Sequence, residues 1–130
     1  MGKAATKNAS IVKAMSVRQP FAELIILGVK KAEYRSRLTN FRGPVWVYAG
    51  KTFGGYNLSD DQIDALSDLD TDPECLPRGV ILGSVEIVDC RWLEGDGCYE
   101  YVLANPKRLR KPIAPLGTPQ PLFWTPTLPA

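Results

Sequence analysis

The chain has 130 residues, with 16 basic and 14 acidic side chains, three cysteines and no histidine. That length supports one self-sufficient core and is too short for two ordinary domains. The formal charge of +2 excludes a histone-like or acidic solubility tail, and the lack of histidine removes imidazole bases, Ser-His-Asp chemistry and histidine-ligated metals.

Cys75, Cys90 and Cys98 form no C-x-x-C and cannot all pair within one monomer. The reading is a reduced, cytoplasmic protein with no metal and no cofactor. No stretch approaches the length of a membrane span, so no membrane partner is expected. The near-neutral total hides a segregation. Residues 1–58 carry ten basic and two acidic groups, residues 59–100 two and twelve, and residues 101–130 four and none. If the first and third segments meet in space, they form a positive face suited to phosphate backbones.

Residues 1–12 read as a flexible leader. A short strand is predicted over 13–17. Pro20 then opens a helix of about two turns, with Phe21, Leu24, Ile25 and Leu27 on its buried side and Gly28 at its end. Residues 30–37 are extended, and the alternation Lys31, Glu33, Arg35, Arg37 sets four charges on one side. A turn precedes a strand over 45–49, with Val45, Val47 and Ala49 on one face and Trp46 and Tyr48 on the other. Gly50, Gly54 and Gly55 mark a mobile loop that holds Lys51 and Tyr56 and lacks the spacing of a P-loop.

A helix over 59–69 starts with a capping box from Ser59 and Gln62, and its stripe is Ile63, Leu66 and Leu69. Strands follow over 79–89 and 99–103. Six prolines from Pro112 onward end most regular structure, although residues 122–124 can form an edge strand that closes a barrel. Residues 125–130 read as a loose tail. The tally predicts a mainly β fold with flanking helices, a small barrel of five to six strands in a single domain over 13–124.

Glu86 is the anomaly. It sits in the run GVILGSVEIVDC, which is apolar on both faces. A carboxylate there needs a cationic partner or a polar cleft, and Lys30, just beyond the helix end, is the natural partner. The competing reading is a solvated edge-strand glutamate or a structural ion pair.

Three segments carry a family resemblance: residues 16–22 (SVRQPFA), residues 28–35 (GVKKAEYR) and residues 41–47 (FRGPVWV). Together with Val85-Glu86-Ile87, the run at 102–106 and Leu122-Phe123, they resemble the ASCH domain family of the PUA-like superfamily. Its G-x-K-x-x-E-x-R hallmark is matched by Gly28, Lys30, Glu33 and Arg35.

The resemblance implies a PUA-like β-barrel with a cleft beside the first helix, and single-stranded RNA or a modified nucleoside as partner. Arg18, Gln19, Phe21, Arg35, Arg37, Arg42, Lys51 and Tyr56 are then candidate ligand-binding residues, and Lys107, Arg108, Arg110 and Lys111 extend the basic track. A small bacterial branch of the family comprises amidohydrolases that deacetylate N4-acetylcytidine with a lysine, a threonine and a glutamate. Those positions fall on Lys30, Glu33 and Glu86, so Glu33 departs from the pattern and offers no hydroxyl nucleophile. The two readings are a nucleic-acid or nucleoside binder and, alternatively, an amidohydrolase or ribonuclease using Lys30 and Glu86. A monomer is expected.

Overall fold

Strand-forming stretches dominate, and each ends where glycine, proline or a polar turn interrupts the alternation. The computed structural model describes residues 11–54 and 57–129. In chain order the elements are β1 (Ala14–Gln19), α1 (Phe21–Ile26), β2 (Ala32–Arg35), β3 (Gly43–Phe53), α2 (Asp60–Ser67), β4 (Val80–Leu93), β5 (Cys98–Ile113) and β6 (Phe123–Trp124), with a 3-10 turn at Pro73–Cys75. They form one mixed sheet in the order β2-β5-β4-β3-β1-β6. The β1–β3 pair is parallel and the other ladders are antiparallel.

The fold is mainly β with two flanking helices, as expected, but the sheet does not close into a barrel. β2 and β6 are its free edges. β6 has only two residues and is preceded by prolines, which lack the N–H a longer ladder would use. Side chains bridge the gap instead. Arg35 on β2 donates to the Ser16 carbonyl on β1 at 2.6 Å. Tyr101 on β5 stacks on Phe123 of β6, with ring centroids 5.9 Å apart.

The alternation in β3 separates two cores. Val45, Val47 and Ala49 join Met15, Val17, Ile25, Val85, Ile87 and Tyr101 beneath α1. Trp46 and Tyr48 point to the opposite side and pack with Ile81 and Trp124. Leu24 on α1 meets Leu66 on α2 and Leu76, which ties the two helices together.

Several elements run longer or sit differently than predicted. β3 continues into the expected glycine loop as far as Phe53, because β1 pairs alongside it up to Gly50 and, after a bulge, Phe53. β5 extends to Ile113 because β4 stays opposite it. The ladder absorbs Asn105 (φ 53°) and Pro106 at an irregularity where β5 carries an extra residue. The Ser59–Gln62 capping box forms on α2. Of its predicted stripe only Leu66 is buried, and Ile63 stays exposed. Leu27, expected to be buried, lies one residue past α1 and is exposed. Among the described residues the three cysteines are free, and no helix is long and apolar enough to cross a membrane.

Candidate functional site

The G-x-K-x-x-E-x-R segment is an ion-paired seam. Gly28 (φ 81°) follows the cap residue Leu27 of α1, and the N–H groups of Val29 and Lys30 turn back to the Leu24 carbonyl at 3.0 Å each. A left-handed residue is needed for that reversal, which suits glycine. The reversal brings Lys30 over the start of β2. Its ammonium donates to the Ala32 carbonyl at 2.6 Å and lies 3.3 Å from Glu33 Oε1. It also sits 5.0 Å from the Tyr34 ring centroid and 5.6 Å from that of Phe21, within cation–π range. Strand alternation puts Glu33 and Arg35 on one face, and Glu33 Oε2 accepts from Arg35 Nε at 3.0 Å and from its terminal nitrogen at 2.5 Å. The same guanidinium reaches Ser16 on β1. Arg35, braced by Glu33 and through it by Lys30, thus fastens β2 to β1 where no backbone ladder does.

A cleft of about 680 Å³ opens beside this seam, within the range of small-molecule and nucleotide sites. Its walls come from β1 (Arg18), α1 (Phe21), β2 (Glu33, Tyr34, Arg35), the end of β3 (Tyr48, Lys51) and residues 119–122. Two glycines seat its cations. A Cβ on Gly54 would lie 2.9 Å from Arg18 Cδ, and one on Gly79 (φ 76°) would lie 3.3 Å from Lys51 Cε. Bare backbone at those points lets both long stems lie flat with their charges outward. Among the described residues neither Arg18 nor Lys51 has an ion-pair partner. Burial raises the phenol of Tyr34, with Glu100 and Asp96 adding to it, and burial alone raises that of Tyr48. Both therefore stay protonated at neutral pH and offer O–H groups, not bases.

Tyr101 is raised by burial as well. Because the phenol is the neutral form, a raised folded-state value favours folding fully below the unfolded value of about 10, and that contribution is lost as pH climbs through it. Tyrosinate absorbance should therefore show these three phenols titrating late, with stability falling above about pH 10. One transition at the ordinary value for every tyrosine would contradict the burial described.

The structure brings together Arg18, Phe21, Glu33, Arg35 and Lys51 on the cleft, with Lys30 behind Glu33. Arg37 lies further along, on an adjoining cavity. Other candidates fall elsewhere. Gln19 is fully buried. Its amide donates to the Pro77 carbonyl at 2.8 Å and accepts from the Glu23 N–H at 2.9 Å, so both ends serve the fold. Arg42 donates to the carbonyls of Thr39 and Phe41 and reaches Asp89 at 3.8 Å, which clamps the turn before β3. Asp89 itself is held below the usual carboxylate range, first by its hydrogen bond from Arg91 and then by the Cys90 N–H. Tyr56 lies outside the described residues.

The expected Lys30–Glu86 pair does not form. Lys30 is taken by Glu33, and the side-chain contact found for Glu86 is with Asn105 Nδ2 at 3.3 Å. Val85 and Ile87 point into the main core, so alternation turns Glu86 to the other, partly open face. Glu86 lines neither the cleft, nor Arg37's cavity, nor a smaller one of about 260 Å³ that Lys30 and Asn105 share. Arg108 of the basic track forms a two-point pair with Glu23 of α1, at 3.1 and 2.5 Å. Lys107, Arg110 and Lys111 line none of these cavities.

Sequence reasoning missed two parts of the site. Tyr34 is half exposed and covers Lys30. Residues 119–122 form the lip of the cleft, in a proline-rich stretch that reads only as the end of most regular structure. The available signal was the apolar run at 122–124, which has to dock somewhere and so holds the residues before it in place.

An open, mainly β sheet with a helix beside a cleft lined by cations and aromatics defines a small mainly β domain. Residues 15–113 match the ASCH domain, and the chain belongs to that family. It is similar to mouse "Activating signal cointegrator 1", 30% identical over an alignment of 111 residues that covers 73% of this chain and 19% of that protein. It is also similar to the human protein of the same name, 36% identical over 80 residues, covering 58% of this chain and 14% of that protein. The chain thus spans less than a fifth of the length of these relatives.

Proposed function

We propose that the chain binds RNA, or a modified nucleoside within it, in the cleft beside α1. The observation that carries this reading is that Arg18 and Lys51, cations with no ion-pair partner among the described residues, line the same cleft as the aromatic rings of Phe21 and Tyr34. Cations take phosphates without regard to sequence, and aromatic faces take unstacked bases. Membership of the ASCH family agrees with RNA as the ligand class.

Turnover has less support. Glu33 is committed to Lys30 and Arg35. The Ser16 hydroxyl donates to the Gln120 carbonyl and accepts from Trp124 Nε1, which leaves it without a base. Glu86 is off the cleft.

The test is anisotropy with short single-stranded RNA. Arg18→Ala with Lys51→Ala should weaken binding at least tenfold and flatten the log–log salt slope by about 1.4, roughly 0.7 per lost phosphate contact. An unchanged slope would remove the cleft from the binding surface. Acetate release from N4-acetylcytidine, or RNA cleavage, abolished by Lys30→Ala or Glu86→Gln, would replace binding with catalysis.

A further inference from the structure

Arg35 is a wall shared by two cavities. One is the cleft; the other, of about 580 Å³, is bounded by Arg37, Leu38, Thr39, Tyr101 and Phe123. Residues 121–122 line both, so the two cavities adjoin at the same lip. The second cavity repeats the chemistry of the first at a different point. Arg37 is exposed and, among the described residues, has no ion-pair partner. Leu38, 55% exposed, gives this cavity an apolar side chain that is open to solvent. Phe123 is half buried, backed by Tyr101 in a near-parallel stack.

Charge selects among possible occupants. Among the described residues Glu33 is the one carboxylate that lines either cavity, and it is neutralised from both sides by Lys30 and Arg35. The two cavities together therefore present Arg18, Lys51 and Arg37 as free positive charge, spaced along a path with an apolar or aromatic surface in each chamber. A ligand that repeats an anion and a flat apolar ring matches that sequence of features. A double helix does not, because its rings are paired and stacked inside.

We propose that the two cavities form one groove for two consecutive nucleotides of a single strand, the second base lying against Leu38 and Phe123 with its phosphate at Arg37. This rests on the binding reading above and narrows its ligand from a free nucleoside to an oligonucleotide. Arg35 separates the two bases, and its bonds to Glu33 and Ser16 keep that divider in place.

The test compares uridine 5′-monophosphate, the dinucleotide UpU carrying a 5′-phosphate, and hexauridylate on the intact chain by calorimetry. Base stacking is worth enough that UpU should bind at least about tenfold tighter than the monophosphate. Arg37→Ala and Leu38→Asp, both at exposed positions, should each remove most of that gain. Equal affinities for the monophosphate and UpU would overturn this proposal and leave the cleft reading standing. A gain that survives both substitutions would overturn the placement of the second base. Displacement of UpU by a polyglutamate peptide at equal concentration would mark a general anion trap and overturn base recognition. Binding of no uridylate at any length would overturn both readings.

Discussion

Replacing Glu33 with alanine is expected to cost about 3 kcal/mol of folding stability. Glu33 is flanked by Lys30 and Arg35, and its side chain is only 11% exposed. Removing the carboxylate leaves two enclosed cations facing each other with no counter-charge, and the loss of one partner from an enclosed pair is what makes such sites costly. The damage should not stay local, because Arg35 also holds β2 against the Ser16 carbonyl of β1. Chemical denaturation would show a lower midpoint for Glu33→Ala, and Glu33→Gln should lose less because an acceptor remains. Adding Lys30→Met to Glu33→Gln removes the stranded charge beside it. The double variant should then lose clearly less than the two single losses added together, by about 1 kcal/mol, as expected for groups in contact. Strict additivity would show that the seam is not coupled, and RNA binding should weaken in step with loss of the seam.

Gly83→Ala should be at least as damaging, for a steric reason. A Cβ there would stand 2.0 Å from the Lys107 carbonyl oxygen and 2.9 Å from Arg108 Cα. Both obstacles are backbone of the neighbouring strand, so no side chain can swing aside. β4 and β5 would have to part at the point where their register already shifts. Arg108 would carry its pair with Glu23, and with it α1, out of place. Overpacking of this kind costs about 3 kcal/mol, or roughly 12 °C in melting temperature for a domain of this size. Gly95→Ala is the matched control, since a Cβ there meets nothing within 4 Å. It should stay within about 0.5 kcal/mol of the parent protein. Similar melting temperatures for the two variants would refute the close approach of the strands.

These two residues illustrate different degrees of legibility. Glu33 could be picked out because charge density, strand alternation and a glycine turn fall in one eight-residue run. Its role could not, because the run does not say whether the carboxylate faces a ligand or its own neighbours. Gly83 reads as one more small residue in an apolar strand. Only the crossing of β4 and β5 gives it a reason. Glu86 shows the opposite failure. Its neighbours made it look enclosed on both faces, yet Glu86 is only half-buried and Val88, two residues on along the same face, is exposed.

The amino-acid order by itself determined the element types, the split of β3 into two core faces, the cap on α2 and the family to which the chain belongs. Those features depend on neighbours a few residues apart, where alternation, capping and glycine turns act directly. Only the tertiary structure decided that Lys30 answers Glu33 and not Glu86, that the sheet stays open, and that Arg18, Lys51 and Arg37 have no ion-pair partner among the described residues. Each of these depends on segments tens of residues apart meeting in space, and ion pairing follows distance in space, which spacing along the chain does not carry.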